Sequence, residues 1–106
     1  AELSPDFLPL LIKIGRSIAS IGGRVTIEGH TDSIPVSRND RFRSNWDLSG
    51  SRAAAVADYL TDHGGVARER IAVRGLADTK PLASNETREG RAKNRRIEVL
   101  VDAAGF

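Results

Sequence analysis

The strongest constraint on this chain is a change of hydrophobic period that repeats three times along it. Phe7, Leu11, Ile14, Ile18 and Ile21 recur at helical spacing and stop at Gly22-Gly23. Val25 and Ile27 then alternate with polar neighbours over Arg24 to Glu28, the period of a short strand running into Gly29. Helical spacing returns with Ala53, Val56, Ala57 and Leu60, closed by Gly64-Gly65, and strand alternation returns over Ile71 to Gly75. A short polar helix is expected over Glu86 to Lys93 and a third strand on Ile97, Val99 and Val101. Periods near 3.6 and 2 place apolar side chains on one helix face and one sheet face respectively, so each element has a surface to bury. The order helix, strand, helix, strand, helix, strand predicts a layered α/β sandwich, with parallel pairing across any crossover helix that joins neighbouring strands. No internal repeat is present.

Local signals sharpen the boundaries. Ser4-Pro5 is a helix start, because Ser caps free backbone N–H groups and Pro fits the first helical position. Ser49 is the natural N-cap of the second helix, which is then expected over Ser49 to His63. Between the first strand and this helix runs a long polar connection, His30 to Asn45, with Pro35 and several charges. Loops of that length in compact domains are commonly functional. The first helix carries Leu8, Leu10 and Ile12 outside its main stripe, a wider apolar surface than one core face needs, and association with a second copy is expected there.

At 106 residues, 40% apolar and 28% charged, the chain fits one ordered domain, residues 1–106, with its own core. It has no cysteine, hence no disulfide, thiolate ligand or thiol nucleophile. No apolar run approaches the roughly 20 residues needed to cross a bilayer as a helix. The net charge is only +2, but thirteen of the sixteen basic residues are Arg, whose planar fork suits carboxylates.

Arg52 is the most informative charge. A helix starting at Ser49 places it near a positive helix end, where a cation needs an anionic partner, either a protein carboxylate or a ligand held jointly with the helix N-terminus. Asp32 lies just beyond the first strand, and in parallel α/β layers strand C-termini and the following helix N-termini border one crevice. Asp32 and Arg52 side by side match the ammonium and carboxylate of an amino-acid zwitterion; the plainer alternative is that they pair with each other.

Other chemistries fit less well. Arg88, Arg91, Lys93, Arg95 and Arg96 form the densest basic stretch, but interleaved Glu86, Glu89 and Glu98 and the lack of aromatic residues there argue against nucleic acid. His30 and Asp32, with His63 far along the chain, show no metal-ligand spacing, so no metal is expected. No nucleophile elbow accompanies the serines, and no catalytic residues are assigned.

Gly29-His30-Thr31-Asp32, then Ser44-Asn45-Trp46-Asp47-Leu48-Ser49 with Arg52-Ala53, then Asn85 and the run from Gly90 to Glu98 together resemble the OmpA-like peptidoglycan-binding superfamily. The resemblance spans about Ile27 to Val101. Enlargement of the loop before Asn45, and the Ser-Asn-Trp-Asp-Leu-Ser run itself, are similar to the MotB branch of flagellar stator subunits. This resemblance implies helices packed on a small mixed β-sheet and a non-catalytic, cofactor-free grip on peptidoglycan. It also implies that Asp32 and Arg52 hold the diaminopimelate residue of the wall peptide, with Thr31, Asn45, Leu48 and Arg95 lining the same pocket. Asn94 and Arg96 belong to the same motif, with a structural role at the sheet edge as the alternative. The implied setting is the periplasmic domain of an inner-membrane protein, a homodimer that meets a MotA-type partner through a membrane segment outside this sequence. An envelope anchor unconnected with the motor is the alternative. Against the family pattern, the chain begins as if cut inside the strand that precedes the first helix, so one sheet strand is expected to be missing.

Overall fold

The computed structural model describes residues 3–37 and 41–102. A 3-10 turn, Pro5–Phe7, leads into helix α1, Leu8–Ile21. Strand β1 is Arg24–His30, helix α2 Asn45–His63, strand β2 Ile71–Gly75, helix α3 Arg88–Asn94 and strand β3 Arg96–Asp102. The three strands form one sheet in the order β2-β1-β3. β1 pairs with β2 in parallel across the α2 crossover, Val25 opposite Ile71 through Gly29 opposite Gly75. β3 returns antiparallel, with Glu28 opposite Glu98 and His30 opposite Arg96. The result is the expected mixed sheet with helices packed on it.

Strand alternation divides the sheet into two chemical faces. Val25 and Ile27 of β1 are buried in a core with Leu11 and Ile18 of α1, Ala53, Val56 and Leu60 of α2, and Val66. Thr26, Glu28 and His30 occupy the opposite face by the two-residue period. At the C-terminal ends of the parallel strands, α2 lies directly on the sheet backbone. A Cβ built on Gly29 would stand 2.0 Å from the Ser49 carbonyl oxygen, and one on Gly75 would stand 2.6 Å from the Gly50 nitrogen. Only hydrogen fits at these two positions, and their smallness brings α2 down over the loop that leaves β1.

α2 starts four residues earlier than the serine pattern predicts. Ser44 is the cap: its hydroxyl accepts the Asp47 N–H at 3.2 Å, and the Asp47 carboxylate reaches back to accept the Arg43 N–H at 3.0 Å. This is a variant of the reciprocal capping arrangement, here closing on the residue before the cap. Ser49 is inside the helix and fully buried; its hydroxyl donates to the Trp46 carbonyl and accepts the Ala77 N–H at 3.0 Å. Arg52 therefore sits two turns into α2, outside the first turn where the dipole is felt. The expected demand for an anion at Arg52 does not arise from the helix dipole, because α2 begins at Asn45.

The far end of α1 is held by a side chain from another element. Gly22 donates to the Ile18 carbonyl, and Arg70 donates through Nε to the Gly23 carbonyl at 2.6 Å and through Nη2 to the Ile18 carbonyl at 2.9 Å. A guanidinium on the terminal carbonyls satisfies groups the helix leaves open and complements its negative end. Leu11 and Ile18 are buried as the stripe predicts, whereas Phe7, Leu10 and Ile21 stay exposed.

Candidate functional site

The candidate site is built where β1 ends. Thr31 and Asp32 follow directly from the strand, and both are buried. The Thr31 N–H donates to the Ala77 carbonyl at 2.8 Å, which ties the loop to the segment after β2. From the other side, the Asn45 amide in the first turn of α2 donates to the Ile34 carbonyl at 3.1 Å and to the Asp32 carbonyl at 3.4 Å. The Thr31 hydroxyl donates to the same Asp32 carbonyl at 2.8 Å. A third anchor comes from Asn85, whose side-chain oxygen accepts the Ser33 N–H at 3.3 Å. Three separate parts of the chain thus fix four consecutive loop residues.

This frame sets the direction of the Asp32 carboxylate. One oxygen accepts the Ile34 N–H at 3.0 Å, an Asx turn that locks the side chain to its own loop. The other accepts from Arg95 Nη1 at 2.7 Å. The acid is 7% exposed, while the Arg95 side chain is 45% exposed, so the pair joins a buried anion to a cation reaching solvent. A charge-assisted bond of that length is among the stronger side-chain contacts. Asp32 pairs with Arg95 rather than with Arg52, which removes the simple alternative in which Asp32 and Arg52 neutralise each other.

Arg95 is placed by its neighbour. Asn94, the last residue of α3, is completely buried. Its side-chain oxygen accepts the Leu82 and Ala83 N–H groups at 2.7 and 3.0 Å, and its amide donates to the Ala83 carbonyl and to Asn85 Oδ1 at 3.0 and 2.8 Å. All four positions of the amide are used. Arg91 adds a bond from Nη1 to the Asn85 carbonyl at 2.9 Å, and Thr87 caps α3 by accepting the Gly90 N–H at 2.9 Å. A Cβ on Gly90 would lie 1.8 Å from the Ser84 carbonyl oxygen, so this short helix is pressed against the preceding loop.

The remaining expected residues lie along α2. Asn45, Leu48 and Arg52 follow the spacing that puts side chains on one helix face, starting at the Asn45 that grips the Asp32 loop. Leu48 and Arg52 are half-buried. Beside them, Ile34 and Trp46 expose more than half their surface at the rim. The structure therefore brings Thr31, Asp32, Asn45 and Arg95 into one bonded group and sets Leu48 and Arg52 on the helix face that continues from it. Ser33 and Asn85 are additions. Asn85 lay inside a motif, but its role as a bridge depends on the meeting of two loops 52 positions apart. The group gathers carboxylate, amide, hydroxyl and guanidinium groups in one place. Among the described residues no helix is long and apolar enough to cross a membrane.

Comparison with known proteins agrees with this architecture. The chain is 43% identical over 102 residues to Motility protein B of Bacillus subtilis, covering 95% of this chain and 39% of that protein. It is also 43% identical over 103 residues to the peptidoglycan-binding protein ArfA of Mycobacterium tuberculosis, covering 96% of this chain and 30% of that one. The solved cell wall anchor of the type VI secretion system (T6SS) from Pseudomonas aeruginosa superposes with a TM-score of 0.85 at 42% identity, over 95% of this chain and 69% of the other. The chain thus spans well under half the length of these two curated relatives. The OmpA family model matches residues 3–95, through both helices that frame the Asp32 loop and up to Arg95 itself, and the chain is a member of the OmpA family.

Proposed function

We propose that this domain binds peptidoglycan without chemically altering it and anchors a larger envelope protein to the cell wall. The observation that carries the reading is the buried Asp32 carboxylate, held by the Ile34 N–H on one oxygen and by the half-exposed Arg95 guanidinium on the other. In this reading Asp32 meets the ammonium of the diaminopimelate residue in the wall peptide and Arg52 its carboxylate. Thr31, Asn45, Leu48 and Arg95 complete the pocket. Arg95 then has two tasks, orienting Asp32 before the ligand arrives and sharing the ligand's carboxylate afterwards. Support comes from the names of two relatives, one a peptidoglycan-binding protein and one a cell wall anchor. A non-catalytic role fits a site whose polar groups orient each other and include no nucleophile paired with a base.

The larger protein proposed is a flagellar stator subunit: a homodimer whose periplasmic domain this is, meeting a MotA-type subunit through a membrane segment. Similarity to Motility protein B favours it. The second reading, an envelope anchor outside the motor, is favoured by equal or nearly equal identity to ArfA and the secretion-system anchor.

Co-sedimentation with insoluble peptidoglycan tests the binding claim. Wild type is expected to pellet with the wall, and folded Asp32→Ala and Arg52→Ala variants to lose about 2–5 kcal/mol of binding, enough to remain in the supernatant. Undiminished pelleting of Arg52→Ala would remove Arg52 from the site. Release of muropeptides from the wall during incubation would replace binding by hydrolysis.

A further inference from the structure

The face of the sheet turned away from α1 and α2 carries a second polar cluster that the wall-binding reading leaves unused. His30 is 2% exposed, and neither ring nitrogen has a hydrogen-bond partner. Its Nε2 points between two carboxylates, 3.5 Å from Glu28 Oε1 and 3.9 Å from Glu98 Oε2. Strand register explains the meeting: Glu28 and Glu98 are opposite each other on β1 and β3, and His30 stands two residues along β1 on the same side. One ligating atom from each residue lies within 4.8 Å of the others. Buried nitrogens without partners are costly, and other buried polar side chains such as Ser49, Asn94, Thr31 and Asp32 make hydrogen bonds.

We propose that Glu28, His30 and Glu98 form a binding site for a late first-row divalent cation of the zinc type. Zinc takes both imidazole nitrogen and carboxylate oxygen, and three protein ligands leave a fourth position for water. Ligand atoms about 2 Å from zinc are about 3.3 Å apart, so the Glu98 side chain needs to close by roughly 1 Å, and its partial exposure allows that movement. Each carboxylate is also held by a guanidinium. Arg74 Nη1 is 3.0 Å from Glu28 Oε2 and Arg96 Nε bonds Glu98 Oε2. Arg74 holds the Glu28 oxygen other than the one facing His30, an arrangement that orients a metal-binding carboxylate, whereas Arg96 holds the Glu98 oxygen that faces His30 and would have to share it with the cation. Their charge also opposes a dication and keeps the affinity below that of a dedicated structural zinc site. The cluster lies one rung behind the candidate wall site: His30 faces Arg96, and Asp32 and Arg95 pair just beyond. A bound cation would clamp β1 to β3 where the Asp32 loop begins.

The test is titration of the wild-type chain with zinc chloride alone, read by calorimetry and by the imidazole proton signals of both histidines. The expected result is one equivalent bound at micromolar or tighter affinity, with the His30 signals displaced and those of exposed His63 unchanged. His30→Gln and Glu98→Gln are each expected to weaken binding at least about tenfold. Glu98→Gln, on a partly exposed strand position, keeps the test valid should His30→Gln fail to fold. Displacement of His63 alone, identifying an adventitious ion only, would overturn the proposal. So would unchanged affinity in Glu98→Gln, or no heat and no shift in the wild type at about a hundred micromolar zinc.

Discussion

Asn94 is the point where stability and the candidate site depend on one side chain, and its replacement gives a quantitative test. The amide makes four hydrogen bonds at complete burial, two accepted from consecutive backbone N–H groups and two donated. At a net value of about 1 kcal/mol each, with some recovery by water beside the exposed residue Leu82, Asn94→Ala should cost about 3 kcal/mol. Taking a urea m-value of about 1.5 kcal/mol/M for a chain of this size, the unfolding midpoint should fall by about 2 M. Asn94→Asp separates hydrogen bonding from volume. It preserves the shape and both accepted bonds but turns the contacts with the Ala83 carbonyl and Asn85 Oδ1 into oxygen facing oxygen. A cost comparable to that of Asn94→Ala is therefore expected at neutral pH. It should lessen as the pH falls through the carboxylate range, because the protonated acid regains one donor. If Asn94→Asp stayed within about 0.5 kcal/mol of wild type at neutral pH, the four-bond account would be refuted and the cost of Asn94→Ala would be one of lost volume.

Three further outcomes follow from the packing and charge just described. Gly29→Ala places a methyl against the Ser49 carbonyl oxygen, a clash with helix backbone, and thermal unfolding should show a loss of about 3 kcal/mol or more; a loss under about 1 kcal/mol would mean that α2 can lift off the sheet cheaply. Arg70→Ala removes two charge-assisted bonds to the end of α1 and should lower stability by about 2 kcal/mol, with amide exchange accelerated in the last turn of α1; uniform exchange throughout the chain would refute the local capping role. The pKa of His30 is held below 6.5 by burial first and the Arg96 charge second, against the raising effect of Glu98 and Glu28. Its neutral form is thus favoured by folding, so its stabilising contribution is present above pH 6.5 and is lost as the pH falls below that value through the depressed pKa. Denaturant melts of wild type and His30→Gln across this range should converge on acidification, and parallel curves would contradict the assignment. Glu98, lowered chiefly by its bond with Arg96, adds a second loss below 4.5 that both proteins share.

Much of the fold follows from periodicity because each element buries one face. β2 was legible over its full extent, and Leu11, Ile18, Ala53, Val56 and Leu60 are buried where their spacing put them. The start of α2 was obscured by a real ambiguity. Ser44 and Ser49 are both capable caps, and the turn between them carries an exposed Trp46 and a half-buried Leu48 rather than a clean apolar stripe. The Asp47 side chain decides the matter by closing the Ser44 cap, and it bonds the Arg43 N–H, a contact that spacing alone suggests only weakly. The site divides in the same way. Asp32 follows from its place after the first strand, and Thr31, Asn45 and Arg95 from motif resemblance, yet the choice of Arg95 over Arg52 as the partner of Asp32 required knowing which strand returns beside β1.

That return explains why two polar centres coexist at one end of a small sheet. β3 runs antiparallel to β1, so positions before and along β3 meet positions along and after β1 in reverse order. Glu98 meets Glu28, Arg96 meets His30, and Arg95, just before the strand, meets Asp32, just after its own. A run that reads along the chain as one dense basic stretch is thus distributed over successive rungs. Arg96 serves Glu98 and donates to the Lys80 carbonyl on the face that carries Glu28 and His30, while Arg95 reaches Asp32 beyond the strand end. Two of the five basic residues, Arg95 and Arg96, thereby gain acidic partners in Asp32 and Glu98, while Arg88, Arg91 and Lys93 stay on α3. A one-residue slip of β3 would move Arg96 and Glu98 onto the opposite face of the sheet and draw Arg95 away from Asp32. The register is secured from outside the sheet by Asn94, buried and fully bonded immediately before Arg95, so the same residue that fixes α3 against its loop also sets which guanidinium reaches Asp32.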